Sequence, residues 1–243
     1  MIMRFTDHKA VVFGGSSGVG LATAEALVAE GADVTILSRD PAKLAEAARR
    51  LKGAVGTRAV DGRDRAALDR FFGDYGAFDH LILTLSGGTA PAPLAAIDID
   101  RFRAAFDGKF WAQFAILQRA AAQIRPNGSI ILVGGVGSRR ALPGLIQYAA
   151  VNGALDAIVG PLARELAPVR VNLVAPGVID TPYWDRIPAE TRGAVLDDMT
   201  AGLPVSRAGR AEEVAQAILY ATANLYVTGT ILEVEGGLRH AAV

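Results

Sequence analysis

The chain has 243 residues, 51% of them apolar, which suits one large domain with a sizeable core and excludes a disordered chain. Its 25 Lys and Arg balance 25 Asp and Glu, so no net field draws it to nucleic acid or to an anionic membrane, and neither is expected as a partner. It has no cysteine and only His8, His80 and His240, which excludes disulfides, thiolate metal sites and a cysteine nucleophile; no metal is expected. The start, Met1 to His8, has no apolar stretch of signal length, and no run approaches the roughly 20 apolar residues of a membrane span. A soluble, cytoplasmic protein is the expectation.

Along the chain, short solid apolar runs alternate with longer stretches of helical period. Residues 10–13 form the first run, followed by a glycine-rich turn and a helical pattern over 19–30. The second run, 34–37, leads into a helix over 41–52, announced by Asp40-Pro41, a cap followed by proline at the first helical position. A weaker strand over 54–60 precedes a helix over 64–74, and the run 81–85 precedes a long pattern over 98–123. The run 130–133 is paired with a helix over 145–166. After the run 169–174 the period is lost over 178–204, where Pro182 and Pro188 interrupt it. That segment suits either a substrate lid or a loop carrying a surface helix. A helix over 211–222 opens with Glu212 and Glu213, and a last weak strand covers 230–234. Gly31 and Gly53 fall where helices should stop. Continuous rather than alternating apolar runs are expected of strands covered on both faces. The chain is therefore expected to be α/β, a three-layer, doubly wound parallel sheet in a single domain over 1–243.

The turn Phe13-Gly14-Gly15-Ser16-Ser17-Gly18-Val19-Gly20 lies between the first strand and the first helix. Glycines there permit a tight turn and let a pyrophosphate approach backbone amides at the positive end of the helix. Where an NAD site places a carboxylate after the second strand, this chain reads Leu37-Ser38-Arg39-Asp40. Ser38 can donate a hydrogen bond, Arg39 can pair with a 2′-phosphate, and Lys43 follows one turn on, which favours NADP(H) over NAD(H). The alternative is that Arg39 is a solvated surface charge, and Asp40 suits a helix cap better than a ribose contact.

These residues, with Asp61 after the third strand, Tyr148 before a long helix, Pro176-Gly177-x3-Thr181, Gly209-Arg210-x-Glu212-Glu213, Thr228-Gly229 and Glu235-Gly236-Gly237, resemble the short-chain dehydrogenase/reductase family over nearly the whole chain. The resemblance implies a Rossmann sheet of about seven strands, an NAD(P)H cofactor, a small carbonyl or alcohol substrate, and homodimers or homotetramers packed through the helices near 98–123 and 145–166. It also implies that Gly14, Ser16, Ser17, Gly18 and Val19 line the phosphates, while Ser38 and Arg39 face the adenosine ribose. Asp61 and Gly62 would flank adenine, Ser86 and Gly87 the second ribose, and Pro176, Gly177, Val178 and Thr181 the nicotinamide end.

The family's chemistry rests on asparagine, serine, tyrosine and lysine, and here only the tyrosine, Tyr148, stands in place. Asn152 occupies the lysine position, Gly135 the serine position thirteen residues before Tyr148, and Lys109 the asparagine position. Lysine and asparagine have thus exchanged places between two helices that pack together in the family. The exchange predicts that Lys109 keeps an ammonium near Tyr148 and lowers its pKa from near 10, while Asn152 bonds ribose or substrate. The competing reading is that catalysis is lost and Lys109 reaches the surface or pairs with Asp107. Ser86 and Ser138 are the candidates to replace the missing oxyanion donor. The expectation is an atypical NADP(H)-dependent oxidoreductase with Tyr148, Lys109 and Asn152 at its catalytic centre. A non-catalytic dinucleotide-binding protein, as a redox sensor or structural partner, and non-redox chemistry on the same scaffold are the alternatives.

Overall fold

The computed structural model describes residues 3–52, 54–87, 91–141 and 143–241. In chain order it runs β1 (Lys9–Phe13), α1 (Gly18–Ala29), β2 (Asp33–Ser38), α2 (Pro41–Arg50), β3 (Val55–Ala59), α3 (Arg65–Tyr75) and β4 (Phe78–Leu83). It continues with α4 (Ile99–Phe106), α5 (Ala112–Ala120), β5 (Ile124–Val133), α6 (Ile146–Glu165), β6 (Arg170–Pro176) and β7 (Ile179–Asp180). The last elements are α7 (Ala189–Thr200), β8 (Gly209–Arg210), α8 (Ala211–Ala223) and β9 (Ile231–Val234).

Seven strands form one sheet in the order β3-β2-β1-β4-β5-β6-β9, parallel at every pairing. The apolar runs are solid because successive side chains of one strand enter two different cores. Val11, Phe13, Leu81 and Leu83 join Phe72 of α3, Ile116 of α5 and Leu155 of α6 on one face. Ala10, Val12, Val34 and Ile36 join Leu27 of α1, Leu44 of α2 and Ile218 of α8 on the other. Phe13 lies 6.1 Å from each of the Phe71 and Phe72 rings, so this position serves the core. Because β1 pairs with β2 on one side and β4 on the other, the chain winds in opposite directions from it, and a crevice opens beyond the carboxyl ends of β1 and β4.

Helix ends follow their local chemistry. The Asp40 carboxylate accepts from the Ala42 and Lys43 amides at the start of α2, and Gly31 takes a φ of 92° after α1. Gly53 lies outside the described residues. Two segments differ from the periodicity. The pattern over 98–123 is broken by a π-helical turn over Asp107–Trp111 between α4 and α5, the kind of single wide turn that re-aims a side chain within a helix. The irregular 178–204 segment is a folded flap: β7 pairs with β8, a 3₁₀ turn covers Pro182–Trp184, and α7 follows. No helix among the described residues is long and apolar enough to cross a membrane.

At the opposite end of the sheet His80, 3% exposed, lies with Nε2 2.8 Å from His8 Nδ1 and Nδ1 2.9 Å from Ser129 Oγ. Burial, and then the neighbouring His8, push its pKa down to about 4 from an ordinary 6.5. The unfolded chain therefore binds more protons than the folded one between those values, and stability present above pH 6.5 is lost as pH falls toward 4. The loss is about 3 kcal/mol. The urea midpoint is expected to drop across that window and to drop less in His80→Gln; equal slopes would remove His80 as the cause.

Candidate active site

The glycine turn folds back against β4 and the start of α1. Gly14 has a φ of +80°, and a Cβ there would lie 2.4 Å from Thr84 Oγ1; a Cβ on Gly20 would lie 2.2 Å from the Gly14 carbonyl oxygen. Only glycine permits both approaches. The Ser17 side chain makes no capping hydrogen bond to α1, and the first turn of α1 carries no acidic residue. Its leading amides thus face the turn with the helix's positive end and suit an anionic group. Ser16 and Val19, partly buried, flank them. Across the turn, a Cβ on Gly18 would meet Thr181 at 3.4 Å. The expected phosphate segment and the expected nicotinamide-end segment are therefore neighbours.

The remaining expected cofactor residues line the same edge. Ser38 Oγ accepts from the Asp40 amide at 3.2 Å, while Arg39 is exposed beside it. Asp61 is held by Arg63, with Nη2 to Oδ2 at 2.7 Å and Nε to Oδ1 at 3.1 Å. Its carboxyl is kept below the usual range chiefly by that bond, with a smaller contribution from the charge of Arg39. Two guanidinium groups thus converge after β2 and β3. Gly62 packs on Ile116, and Gly87 follows β4 closely enough that a Cβ would lie 2.7 Å from the Ala105 carbonyl oxygen. Pro176 ends β6, Gly177 presses on Glu235, and the Val178 carbonyl accepts from Gly209 at 2.9 Å.

Tyr148 lies in the first turn of α6, and its hydroxyl is 2.8 Å from that of Tyr183. Arg186 stacks over the Tyr183 ring, 4.2 Å from its centre, and hydrogen-bonds the Tyr148 hydroxyl. Burial, then the Tyr183 hydrogen bond, push the Tyr148 pKa up to about 12, and Arg186 opposes the rise. The exchanged pair meets as the helix packing requires. Lys109, on the π-helical turn, donates from Nζ to the Gly134 carbonyl and to Asn152 Oδ1, both at 2.8 Å. Asn152 Nδ2 donates to the Tyr148 carbonyl, also at 2.8 Å. Lys109 is only partly exposed, and its ammonium has lost enough water for burial to lower its pKa to about 8, against the pull of Asp156. The ammonium is thus tied to the Tyr148 backbone through Asn152, whereas the cation acting on the hydroxyl is Arg186.

The serine position has no room to spare. A Cβ on Gly135 would stand 3.2 Å from Asn152 Nδ2, so the asparagine amide fills the space a side chain at 135 would take. Ser138 donates to Asp156 Oδ2 at 2.6 Å, which turns it to a different task, and Ser86 is exposed after β4. Asp107 lies on the π-helical turn, but Lys109 bonds Gly134 and Asn152 instead. Arg139 pairs with Asp156 and Glu233, and Arg140 donates to the Arg239 and Ala241 carbonyls. Tyr183 and Arg186 carry no sequence signal beyond following Thr181 closely; nothing in their spacing says that they reach Tyr148.

On the outside of α4 and α5, Phe102, Phe106, Phe110 and Phe114 form a ladder of rings with successive centres 5.7, 6.1 and 6.0 Å apart. Ile99 and Trp111 on the same face are 58% and 54% exposed.

Residues 14–239 match a family model described as enoyl-(acyl carrier protein) reductase. The chain is 31% identical to the 3-oxoacyl-(acyl-carrier-protein) reductase of Thermotoga maritima, covering 97% of this chain and 99% of that protein. It is 32% identical to the cyclic-di-GMP-binding biofilm dispersal mediator protein of Escherichia coli, covering 96% and 97%. Among solved structures it resembles a small-chain dehydrogenase in complex with NADPH, at 33% identity and a TM-score of 0.83, covering 96% of this chain and 99% of that one.

Proposed function

The chain belongs to the short-chain dehydrogenase/reductase family of oxidoreductases, and on that premise we propose that it transfers hydride between NADP(H) and a small carbonyl or alcohol substrate. One juxtaposition carries the reading. The uncapped start of α1 faces Thr181, which a Cβ on Gly18 would meet at 3.4 Å, and two residues further on the Tyr183 hydroxyl bonds that of Tyr148, so a helix end suited to phosphate and a proton donor share one crevice. When bound, the dinucleotide supplies a hydride at its nicotinamide. Gly14, Ser16, Ser17, Gly18 and Val19 hold its phosphates, and Ser38 with Arg39 holds the 2′-phosphate. Asp61 and Gly62 border the adenine, Ser86 and Gly87 the second ribose, and Pro176, Gly177, Val178 and Thr181 the nicotinamide. Tyr148 gives a proton to the carbonyl oxygen, or takes one from the alcohol. Lys109 and Asn152 position it, the ammonium holding the amide and the amide holding the Tyr148 carbonyl. The aromatic face of α4 and α5 supports assembly with further copies as a homodimer or homotetramer.

Titration with NADPH and NADH, read by tryptophan quenching, tests the cofactor. NADPH is expected to bind more tightly, and Arg39→Ala to weaken NADPH about 10- to 100-fold while leaving NADH unchanged, the worth of a charge-assisted hydrogen bond. Equal affinities, or an equal loss for both cofactors, would count against a 2′-phosphate at Arg39. Binding with no carbonyl reduced would instead match a non-catalytic dinucleotide-binding protein, the reading that Gly135 favours.

A further inference from the structure

Given the proposed hydride transfer at Tyr148, on which this rests, we infer that the flap after β6 completes the catalytic centre: Tyr183 is a second hydroxyl donor to the reacting oxygen, and Arg186 is the cation that positions it and steadies the Tyr148 phenolate.

In reduction, hydride forms a bond to the carbonyl carbon, the C=O π pair moves onto oxygen, and that oxygen takes the proton of the Tyr148 hydroxyl. The nicotinamide is oxidised, the carbonyl is reduced, and water reprotonates the phenolate. Negative charge appears first on the substrate oxygen and then on Tyr148, so each needs a partner aimed at it beforehand. The other candidates are engaged elsewhere, lack a side chain or, like Ser86, lie exposed after β4. Gly135 has no side chain, Ser138 donates to Asp156, and the Lys109 ammonium is bound to Gly134 and Asn152. Tyr183 is what remains at the right place. Two hydroxyls 2.8 Å apart converge on one acceptor oxygen at ordinary hydrogen-bond distances from both. A carbonyl entering there replaces the tyrosine–tyrosine bond with two bonds to itself.

Arg186 fits the second part. Its guanidinium over the Tyr183 ring fixes that ring through a cation–π contact, and its bond to the Tyr148 hydroxyl strengthens as the phenolate forms. The flap itself is pinned. Trp184 Nε1 donates to the Ile179 carbonyl at 2.8 Å, and Arg192 ties Asp180, Asp185 and the Thr181 carbonyl together at 2.5, 2.6 and 2.9 Å. Donors held this way keep their geometry through the reaction.

The test uses the full-length protein, NADPH, and 4-nitrobenzaldehyde as the carbonyl probe. Tyr183→Phe is expected to lower kcat by about 100- to 1,000-fold, the usual cost of one oxyanion donor, with NADPH affinity unchanged. Arg186→Gln is expected to move the high-pH fall of the reduction profile further up in pH, and Arg186→Lys to restore it in part. A readout that needs no substrate is the Tyr148 phenolate absorbance after a rapid pH jump, taken as the difference from Tyr148→Phe. Its midpoint is expected to fall in Tyr183→Phe and to rise in Arg186→Gln. An unchanged kcat in Tyr183→Phe, or phenolate midpoints unmoved in both variants, would overturn the assignment of the flap alone. A parent protein that neither binds NADPH nor consumes it would overturn the proposed reaction and this inference with it.

Discussion

Tyr148→Phe is expected to slow carbonyl reduction by about 100- to 10,000-fold, the contribution of a positioned general acid, while NADPH binds as before. The substitution removes one oxygen and keeps the ring. The groups proposed to hold the cofactor lie on the glycine turn, after β2 and β3, and after β6, so its affinity has no reason to follow. What is lost is the proton delivered to the developing alkoxide. The sign of the pH dependence follows from the environment. Burial and Tyr183 raise the Tyr148 pKa to about 12, so the hydroxyl keeps its proton across the neutral range and is ready to give it up in reduction. Oxidation needs the phenolate, and its rate is expected to climb as pH rises toward that value. Measuring NADPH consumption and NADPH affinity side by side separates the two roles. A variant that loses both in equal measure would make Tyr148 a structural residue, and one that loses neither would end the reading of Tyr148 as the acid.

The second large effect concerns the exchanged pair. Asn152→Lys, with Lys109 in place, sets a second ammonium against one whose Nζ stands 2.8 Å from the Asn152 amide oxygen. It also removes the donor to the Tyr148 carbonyl. A partly buried cation with no compensating charge costs about 3–5 kcal/mol, and a loss of that order is expected in urea unfolding. The reciprocal double variant, Lys109→Asn with Asn152→Lys, returns one cation and one amide to the same space and is expected to recover most of the loss. Neighbours that share a hydrogen bond show coupling energies of about 0.5–3 kcal/mol in such cycles. If the two single losses simply add in the double variant, Lys109 and Asn152 are not the unit that the geometry describes.

Much of this centre was legible in advance because its signals are local. A glycine cluster between an apolar run and a helical period can be read within a few residues. The steric reason for it, Gly14 against Thr84 and Gly20 against the Gly14 carbonyl, acts within one turn and one adjacent strand. The exchange of Lys109 and Asn152 was legible for a different reason: two departures from one pattern were chemically complementary, and complementary groups on packed helices meet. The expected Lys109 ammonium is linked to Tyr148 through Asn152 and the backbone carbonyl, while the cation at the hydroxyl itself is Arg186. Lys109 and Arg186 are both long enough to serve, and only the path of the flap brings Arg186 to the hydroxyl.

Periodicity, turn chemistry and helix caps are written within about ten residues, so the amino-acid sequence alone determined the α/β alternation, the two-sided burial of the strands, the tight glycine turn and the place of Tyr148. Contacts between distant segments are not written that way. Tyr183 meets Tyr148 across 35 residues, and His8 meets His80 across 72, and no local pattern distinguishes these pairings from others of equal length. The π-helical turn that carries Lys109 interrupts the helical pattern between α4 and α5, and no residue within it announces the change of pitch. Such features are decided by packing, where the lowest free energy belongs to the whole arrangement of sheet, helices and flap, and so only the tertiary structure placed a second hydroxyl and a guanidinium beside the tyrosine.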